Sequence, residues 1–406
     1  MKKLQSNFEE KIDIVILAGG KGSRIRKLIN NYPKPLAQIN KNKKFLDYLL
    51  NNICKYNINK IFILAGYKGN KIYKAYHNKI INLVPIKCIV EKKPLGTAGS
   101  LLQIRKKISN KFIIINGDTI FDINFDEFKN NKIRKDEIFM ALSKSNYKSP
   151  NAGLYNLAIK KRRVTFKKNS KLINAGIYLA QRDFLKNIKS STFSLENEII
   201  FKLIKLNKAK GKIYNNFFLD IGTPKTLKLS RKILPKYFYK PAFFLDRDGT
   251  LNHYTEGKYI YKFRNFNFLP GTVEALKKIT NSHYLFLVTN QAGIGKNVFS
   301  QDDFINLHKK IKEYLTKKKI YINEIKFCPF HPLAKIKKYK KNSLFRKPGN
   351  LMVEELKKDW EVDWKRSFMI GDKISDELCS KKSGIKFLYV NKNLQRTIKN
   401  LNYKTK

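Results

Sequence analysis

Short apolar runs recur along this chain, most of them ending at Gly, Asn or Asp, and they alternate with longer amphipathic stretches. Asp13–Leu17, Ile61–Leu64, Phe112–Ile115, Phe243–Leu245, Tyr284–Val288 and Ser367–Ile370 are the clearest. Continuous apolar runs of this length predict strands buried on both faces, the mark of a parallel sheet. Between them, Phe45–Tyr56, Gly99–Ile108, Gly271–Ile279 and Asp302–Lys318 read as helices. Strand alternating with helix predicts an α/β chain whose ligands collect in the loops at the carboxyl ends of the strands. Ile233–Pro241 carries two prolines just before a new strand, so we place a domain boundary between about 232 and 241, giving domains 1–235 and 241–406. No internal repeat breaks the pattern.

Composition changes this picture little. At 406 residues the chain exceeds one typical core, which agrees with two domains. A hydrophobic content of 42%, with 13% aromatics, supports globular packing. No apolar run approaches the roughly 20 residues that cross a bilayer, and no apolar stretch follows the first basic residues. The expectation is a cytoplasmic protein without a membrane partner. Its oligomeric state is left open, a homo-oligomer included. Cys54, Cys88, Cys328 and Cys379 are scattered without a CxxC pair and read as buried or idle thiols. The net charge of +54 would ordinarily suggest nucleic acid, but the lysines are spread through the whole chain. We read them as solvated surface that attracts phosphorylated substrates, with no dedicated nucleic-acid partner.

Chemistry-bearing segments then divide cleanly between the halves. In the first, the strand Asp13–Leu17 runs into Gly19, Gly20, Gly22 and Arg24, and Lys34-Pro35-Leu36 follows ten residues later. Glycines admit phosphate oxygens close to backbone N–H groups, and the two cations add charge for the same phosphates. Further on come Pro94-Leu95-Gly96-Thr97-Ala98-Gly99-Ser100, Asn116-Gly117-Asp118-Thr119, Asn174-Ala175-Gly176 and Leu219-Asp220-Ile221-Gly222. In this order and spacing the segments resemble the sugar-1-phosphate nucleotidyltransferases over about residues 11–230. The resemblance implies a mixed sheet, a nucleotide held by Gly19, Gly20, Gly22 and Gly96, phosphates held by Arg24 and Lys34, and Mg²⁺ on Asp118 and Asp220. Within the family, NGDT, INAGIY and FSLENEI at 193–199 look most like the branch that guanylylates heptose 1-phosphate, with Asn174 and Glu196 facing the sugar. One departure stands out: Phe166-Lys167-Lys168 replaces the usual Phe-Glu-Lys, whose lysine contacts the sugar phosphate.

In the second half, Asp246 and Asp248 leave a strongly apolar strand two residues apart. Carboxylates at that spacing can converge on one phosphoryl group, one as nucleophile and the other as acid and base. Thr289-Asn290-Gln291 ends a strand, Arg346-Lys347-Pro348 lies in a basic loop, and Gly371-Asp372 closes another strand. This set resembles the haloacid-dehalogenase-like phosphatases over about residues 241–395, closest to the heptose-1,7-bisphosphate 7-phosphatase and histidinol-phosphatase subgroup. The resemblance implies attack by Asp246 and proton transfer by Asp248. Thr289, Asn290, Arg346 and Lys347 bind phosphate, and Mg²⁺ sits on Asp246, Asp372 and the Asp248 carbonyl. It leaves to Asp376 the orientation of the lysine or of metal-bound water. Relatives often carry a Cys/His zinc loop. Here Cys328 and His331 remain while the later pair reads Ser343 and Phe345, so no structural zinc is expected and Phe330 and Phe345 are expected to fill the space.

Together the resemblances imply two Rossmann-like domains in a bifunctional enzyme. The second would remove the 7-phosphate of D-glycero-α-D-manno-heptose 1,7-bisphosphate, and the first would transfer GMP from GTP to the remaining 1-phosphate. The sequence leaves open the same two reactions on another sugar or base. A polyanion-binding protein with degenerate sites is the rival from a different class, and the intact aspartates and Lys347 speak against it.

Overall fold

The computed structural model describes residues 12–144, 155–188, 194–255, 257–390 and 392–399. The chain divides into two compact units, one over Phe8–Lys236 and one beginning at Tyr237.

In the first unit ten strands form one mixed sheet: β1 (Asp13–Ala18), β2 (Lys60–Ala65), β3 (Ile80–Ile81), β4 (Val84–Val90), β5 (Lys111–Asn116), β7 (Ile138–Ser143), β8 (Tyr155–Lys160), β9 (Arg163–Phe166), β10 (Leu172–Gln181) and β11 (Ala209–Tyr214). A separate pair, β6 (Thr119–Phe121) and β12 (Phe218–Asp220), lies apart from it. The large sheet runs in the order β3-β4-β2-β1-β5-β10-β7-β11-β9-β8. Strands β4, β2, β1 and β5 are mutually parallel, whereas β10 is antiparallel to both β5 and β7. Val15, Phe62, Ile114 and Tyr178 share one buried cluster, as runs of Ile, Val and Phe on central strands require.

The small pair matters most for chemistry. Antiparallel pairing sets Asp220 opposite Thr119, and the Ile221 N–H donates to the Asp118 carbonyl at 3.0 Å. Two aspartates about a hundred positions apart in sequence thus reach one place. The expected helix Gly99–Ile108 is instead a short helical turn, Gly96–Gly99, continued by 3₁₀ turns over Ser100–Ile104. Two glycines within four residues favour the looser winding.

The second unit carries a five-stranded, all-parallel sheet: β13 (Ala242–Leu245), β14 (Tyr284–Asn290), β15 (Glu324–Cys328), β16 (Phe368–Gly371) and β17 (Lys386–Tyr389). Its order is β15-β14-β13-β16-β17, so the chain builds outward on one side of β13 and then returns to the other. That reversal opens a crevice at the carboxyl end of β13, where Asp246 begins. The helix Gln301–Lys317 is started by a capping box, with Ser300 Oγ accepting the Asp303 N–H at 3.0 Å and Asp303 accepting that of Ser300 at 2.9 Å. Its buried face carries Phe304, Leu307, His308, Ile311 and Leu315 at helical spacing. No helix among the described residues is long and apolar enough to cross a membrane.

Candidate active sites

In the first unit, Arg24, Lys34, Asn116, Asp118, Asn174, Glu196 and Asp220 line one cavity of about 250 Å³. Lys34 Nζ lies 2.6 Å from Asp118 Oδ2. Burial alone would raise the Asp118 carboxyl, but the Lys34 charge overrides it and holds the group below the usual carboxylate range. Asp220 Oδ1 accepts the Gly222 N–H at 2.7 Å. Asp118 and Asp220 line the same cavity, and two carboxylates there form a donor set that fits a hard cation such as magnesium.

Glu196 sits in a polar network at the same cavity. Its carboxylate accepts from Asn116 Nδ2 at 3.0 Å, from Tyr178 Oη at 3.4 Å and from Thr97 Oγ1 at 3.4 Å. Asn174 Nδ2 donates to Tyr178 Oη at 2.5 Å, and its Oδ1 accepts the Gly176 N–H at 3.1 Å. Burial first, and then the Glu196 charge, push the Tyr178 phenol well above its ordinary range, so it stays a donor. Phe193 of the FSLENEI segment lies outside the described residues; Leu195–Ile200 forms a π-helical turn.

Of the glycines, Gly22 takes a positive φ of 59° and leaves room for the Lys34 stem, which a Cβ would meet at 3.1 Å. Gly19, Gly20, Gly22 and Gly96 are not among the residues lining the cavity that holds the aspartates. Gly19 instead adjoins the Glu91 carboxylate. Lys167 and Lys168 are exposed in the turn between β9 and β10 and do not line the cavity either.

In the second unit, Lys347 is buried with Nζ 2.6 Å from Asp246 Oδ1, 2.6 Å from Asp376 Oδ1 and 2.8 Å from the Val288 carbonyl. Burial would lower this lysine, yet the two aspartates outweigh it and hold it above its ordinary range. Burial pushes the Asp246 carboxyl up to about 7 against the pull of Lys347, with Asp376 and Asp248 adding to the rise. Oxygens of Asp246, Asp372 and Asp376 lie within 4.8 Å of one another. Asp372 Oδ1 is buried without a hydrogen-bond partner. Three carboxylates to one lysine, with an orphaned oxygen among them, fit a divalent cation. Gly249, at φ 87°, clears the Asp372 carboxylate, which a Cβ would meet at 2.2 Å.

The Asp248 carboxyl is not in that cluster. It is held below its usual range by Arg247, against the effect of burial. Asn290 acts as a staple: its Oδ1 accepts the Lys347 N–H and its Nδ2 donates to the Lys347 carbonyl, both at 3.0 Å. Thr289 Oγ1 accepts from Gln291 Nε2 at 2.9 Å. Arg346 is half-buried, with Nη1 shielded from water and unpartnered. Cys328 is buried with its thiol directed at the Phe330 carbonyl at 3.9 Å, and His331 Nδ1 accepts the Leu333 N–H at 3.0 Å. Phe330 and Phe345 both pack against the core beneath this loop.

Sequence reasoning passed over Thr97, Asn116, Tyr178, Arg247, Asn252 and Gln291 as functional residues. Most lie inside quoted motifs; Thr97, Asn116 and Gln291 find partners in distant segments, whereas Arg247 and Asn252 bond to Asp248 close by in the chain.

The nucleotidyl transferase family model matches residues 13–234, and that of polynucleotide kinase 3 phosphatase matches 241–397. The D-glycero-alpha-D-manno-heptose 1-phosphate guanylyltransferase of Campylobacter jejuni is 34% identical, over 52% of this chain and 94% of its own. The D-glycero-beta-D-manno-heptose-1,7-bisphosphate 7-phosphatase of Rhodopseudomonas palustris is 36% identical, over 36% of this chain and 81% of its own. A Burkholderia mallei relative named for the alpha anomer is 37% identical, over 36% of this chain and 76% of its own. The chain belongs to the nucleotidyl transferase family through its first unit and to the haloacid-dehalogenase-like phosphatases through its second. It is a bifunctional enzyme.

Proposed function

We propose that the enzyme makes a GDP-activated heptose from D-glycero-α-D-manno-heptose 1,7-bisphosphate in two steps. The carrying observation is that relatives of the two units are named for consecutive operations on one sugar. The α anomer is preferred because the guanylyltransferase relative is named for it, whereas phosphatase relatives carry both names.

Residues 241–406 act first. Asp246 attacks the 7-phosphorus to give an aspartyl phosphate while Asp248 protonates the departing sugar oxygen. Asp248 then takes a proton from the water that releases phosphate. Lys347 and Thr289 hold phosphoryl oxygens, Asn290 fixes the lysine's loop, and Arg346 meets the substrate. Asp246, Asp372 and the Asp248 carbonyl would hold magnesium, with Asp376 beside them. When bound, the cation offsets repulsion between nucleophile and phosphate dianion.

Residues 1–235 act second. Gly19, Gly20, Gly22 and Gly96 admit the nucleotide, and Arg24 and Lys34 face its phosphates. Asn174 and Glu196 orient the sugar, whose 1-phosphate oxygen displaces pyrophosphate from the α-phosphorus of GTP. A second magnesium would be held by Asp118 and Asp220 and would neutralise the developing charge. We read both units as Rossmann-like and the protein as cytoplasmic, with no membrane or nucleic-acid partner.

Phosphorus NMR tests this. The protein, Mg²⁺ and the bisphosphate should release free phosphate, and later addition of GTP should give pyrophosphate and a GDP-sugar. Failure to consume the bisphosphate would reject heptose.

A further inference from the structure

Thr97 sits in the glycine-rich segment read as nucleotide-binding, directly after Gly96, whose φ of 69° turns the chain there. Its hydroxyl bonds elsewhere. Oγ1 accepts the Leu195 N–H at 2.7 Å, 98 positions along the chain, and donates to Glu196 Oε2 at 3.4 Å. A hydroxyl has one hydrogen to give and lone pairs to accept with, so Thr97 makes both bonds at once. Ser100 Oγ donates to the Thr97 carbonyl at 3.1 Å and fixes the backbone behind it.

The far side of this tie is the π-helical turn Leu195–Ile200. The first N–H groups of a helical turn have no partner within it. Here Ser194 Oγ accepts that of Asn197 at 3.2 Å, and Thr97 supplies the acceptor for Leu195. Leu195 and Ile200 are buried in the same cluster as Ala98 and Leu101, so packing brings the two segments together and the hydroxyl fixes their relative placement. Ser194, Glu196 and Asn197 line the cavity, whereas Thr97 stands behind them.

Glu196 keeps acceptor capacity to spare. A carboxylate offers about four acceptor positions. Asn116, Tyr178 and Thr97 occupy three, two of them at 3.4 Å. All three donors are neutral, so the carboxylate retains its charge for a sugar hydroxyl, and a hydrogen bond to an ionised acceptor is the stronger kind.

We propose that Thr97 is a positioning residue for the sugar phosphate and not for the nucleotide: it holds the turn that presents Glu196 to the sugar. The inference rests on the nucleotidyltransferase reading above and goes beyond it, since that reading gives this segment to the nucleotide. Without the hydroxyl the Leu195 N–H loses its acceptor and Glu196 Oε2 its tie. The carboxylate then drifts from the sugar, while the groups assigned to the nucleotide are untouched.

The test varies heptose 1-phosphate and GTP separately in the guanylyl-transfer assay of the full chain. Thr97→Val exchanges the hydroxyl for a methyl group at nearly equal volume. It should raise the KM for the sugar phosphate about tenfold, in line with loss of two hydrogen bonds, and leave kcat and the KM for GTP within about twofold. Thr97→Ala, the smaller change, should show the same split, which guards against a Val variant that fails to fold. Thr97→Ser keeps the hydroxyl and should stay within about twofold of wild type in every constant, because both bonds survive. A KM for GTP that rises as much as that for the sugar phosphate, KM values that do not move, or a Ser variant as impaired as the Val variant would overturn the proposal. Wild-type protein that forms no GDP-sugar from heptose 1-phosphate would remove the transferase reading and this inference with it, a result distinct from variants whose two KM values move together.

Discussion

The two sites meet the same problem, holding carboxylates and cations together around phosphate, in opposite ways. In the phosphatase unit Lys347 is buried between Asp246 and Asp376, and adjacent parallel strands deliver the pieces. In the nucleotidyltransferase unit Lys34 and Asp118 are partly exposed on a cavity wall, and the polar network joins side chains as far apart as Thr97 and Glu196. A small phosphoryl group can be gripped by a prebuilt, dry cluster. A nucleotide and a sugar need space, so part of that site's charge balance must come from the ligands. The first design depends on desolvated pairs, the second on convergence.

The largest break in this comparison is expected at the open site. Asp118→Asn or Asp220→Asn should cut guanylyl transfer by about 10³-fold, since charge stabilisation is most of phosphoryl-transfer catalysis, while phosphate release from the bisphosphate is unchanged. Parallel pyrophosphate and phosphate assays check it. Lys347→Met should lower phosphatase turnover by about 10²-fold, in line with loss of one preorganised charge. It also leaves two buried carboxylates uncompensated, which should cost about 3–5 kcal/mol and appear as a lower urea midpoint. The equivalent Lys34→Met change should shift that midpoint less, because its pair is partly exposed and Lys34 faces a single aspartate. The smallest effect is expected for Tyr178→Phe. Losing one hydrogen-bond link in the Glu196 network should cost about 1 kcal/mol, seen as a KM for the sugar phosphate raised about fivefold with the KM for GTP unchanged.

What the sequence disclosed follows the same division. Runs such as Phe243–Leu245 and Tyr284–Val288 fall within β13 and β14, because a strand buried on both faces must be apolar throughout. Asp246 and Asp372 were legible because each stands just past the end of such a run, Asp246 directly and Asp372 after Gly371. Asp376 was legible only as an accessory to the lysine or the metal's waters, although its carboxylate joins the cluster itself. Gly99–Ile108 misled, since apolar spacing there outvoted the glycines that loosen the winding. Arg247 gave no signal of its burial against Asp248. An arginine between two aspartates looks like a solvated loop residue until the backbone folds it inward. Tyr178 reads as one more core aromatic, and only the approach of Asn174 and Glu196 shows that its hydroxyl is used. Side-chain direction, unlike periodicity, is set by distant segments.

The central claim is that two separate sites act in sequence, phosphatase first. Asp246→Asn protein should be given GTP and Mg²⁺ with either the heptose bisphosphate or the heptose 1-phosphate, and the sugar nucleotide followed by mass spectrometry. The account predicts GDP-heptose from the 1-phosphate at the wild-type rate and none from the bisphosphate. A sugar nucleotide formed from the bisphosphate, or loss of the reaction with the 1-phosphate, would contradict it.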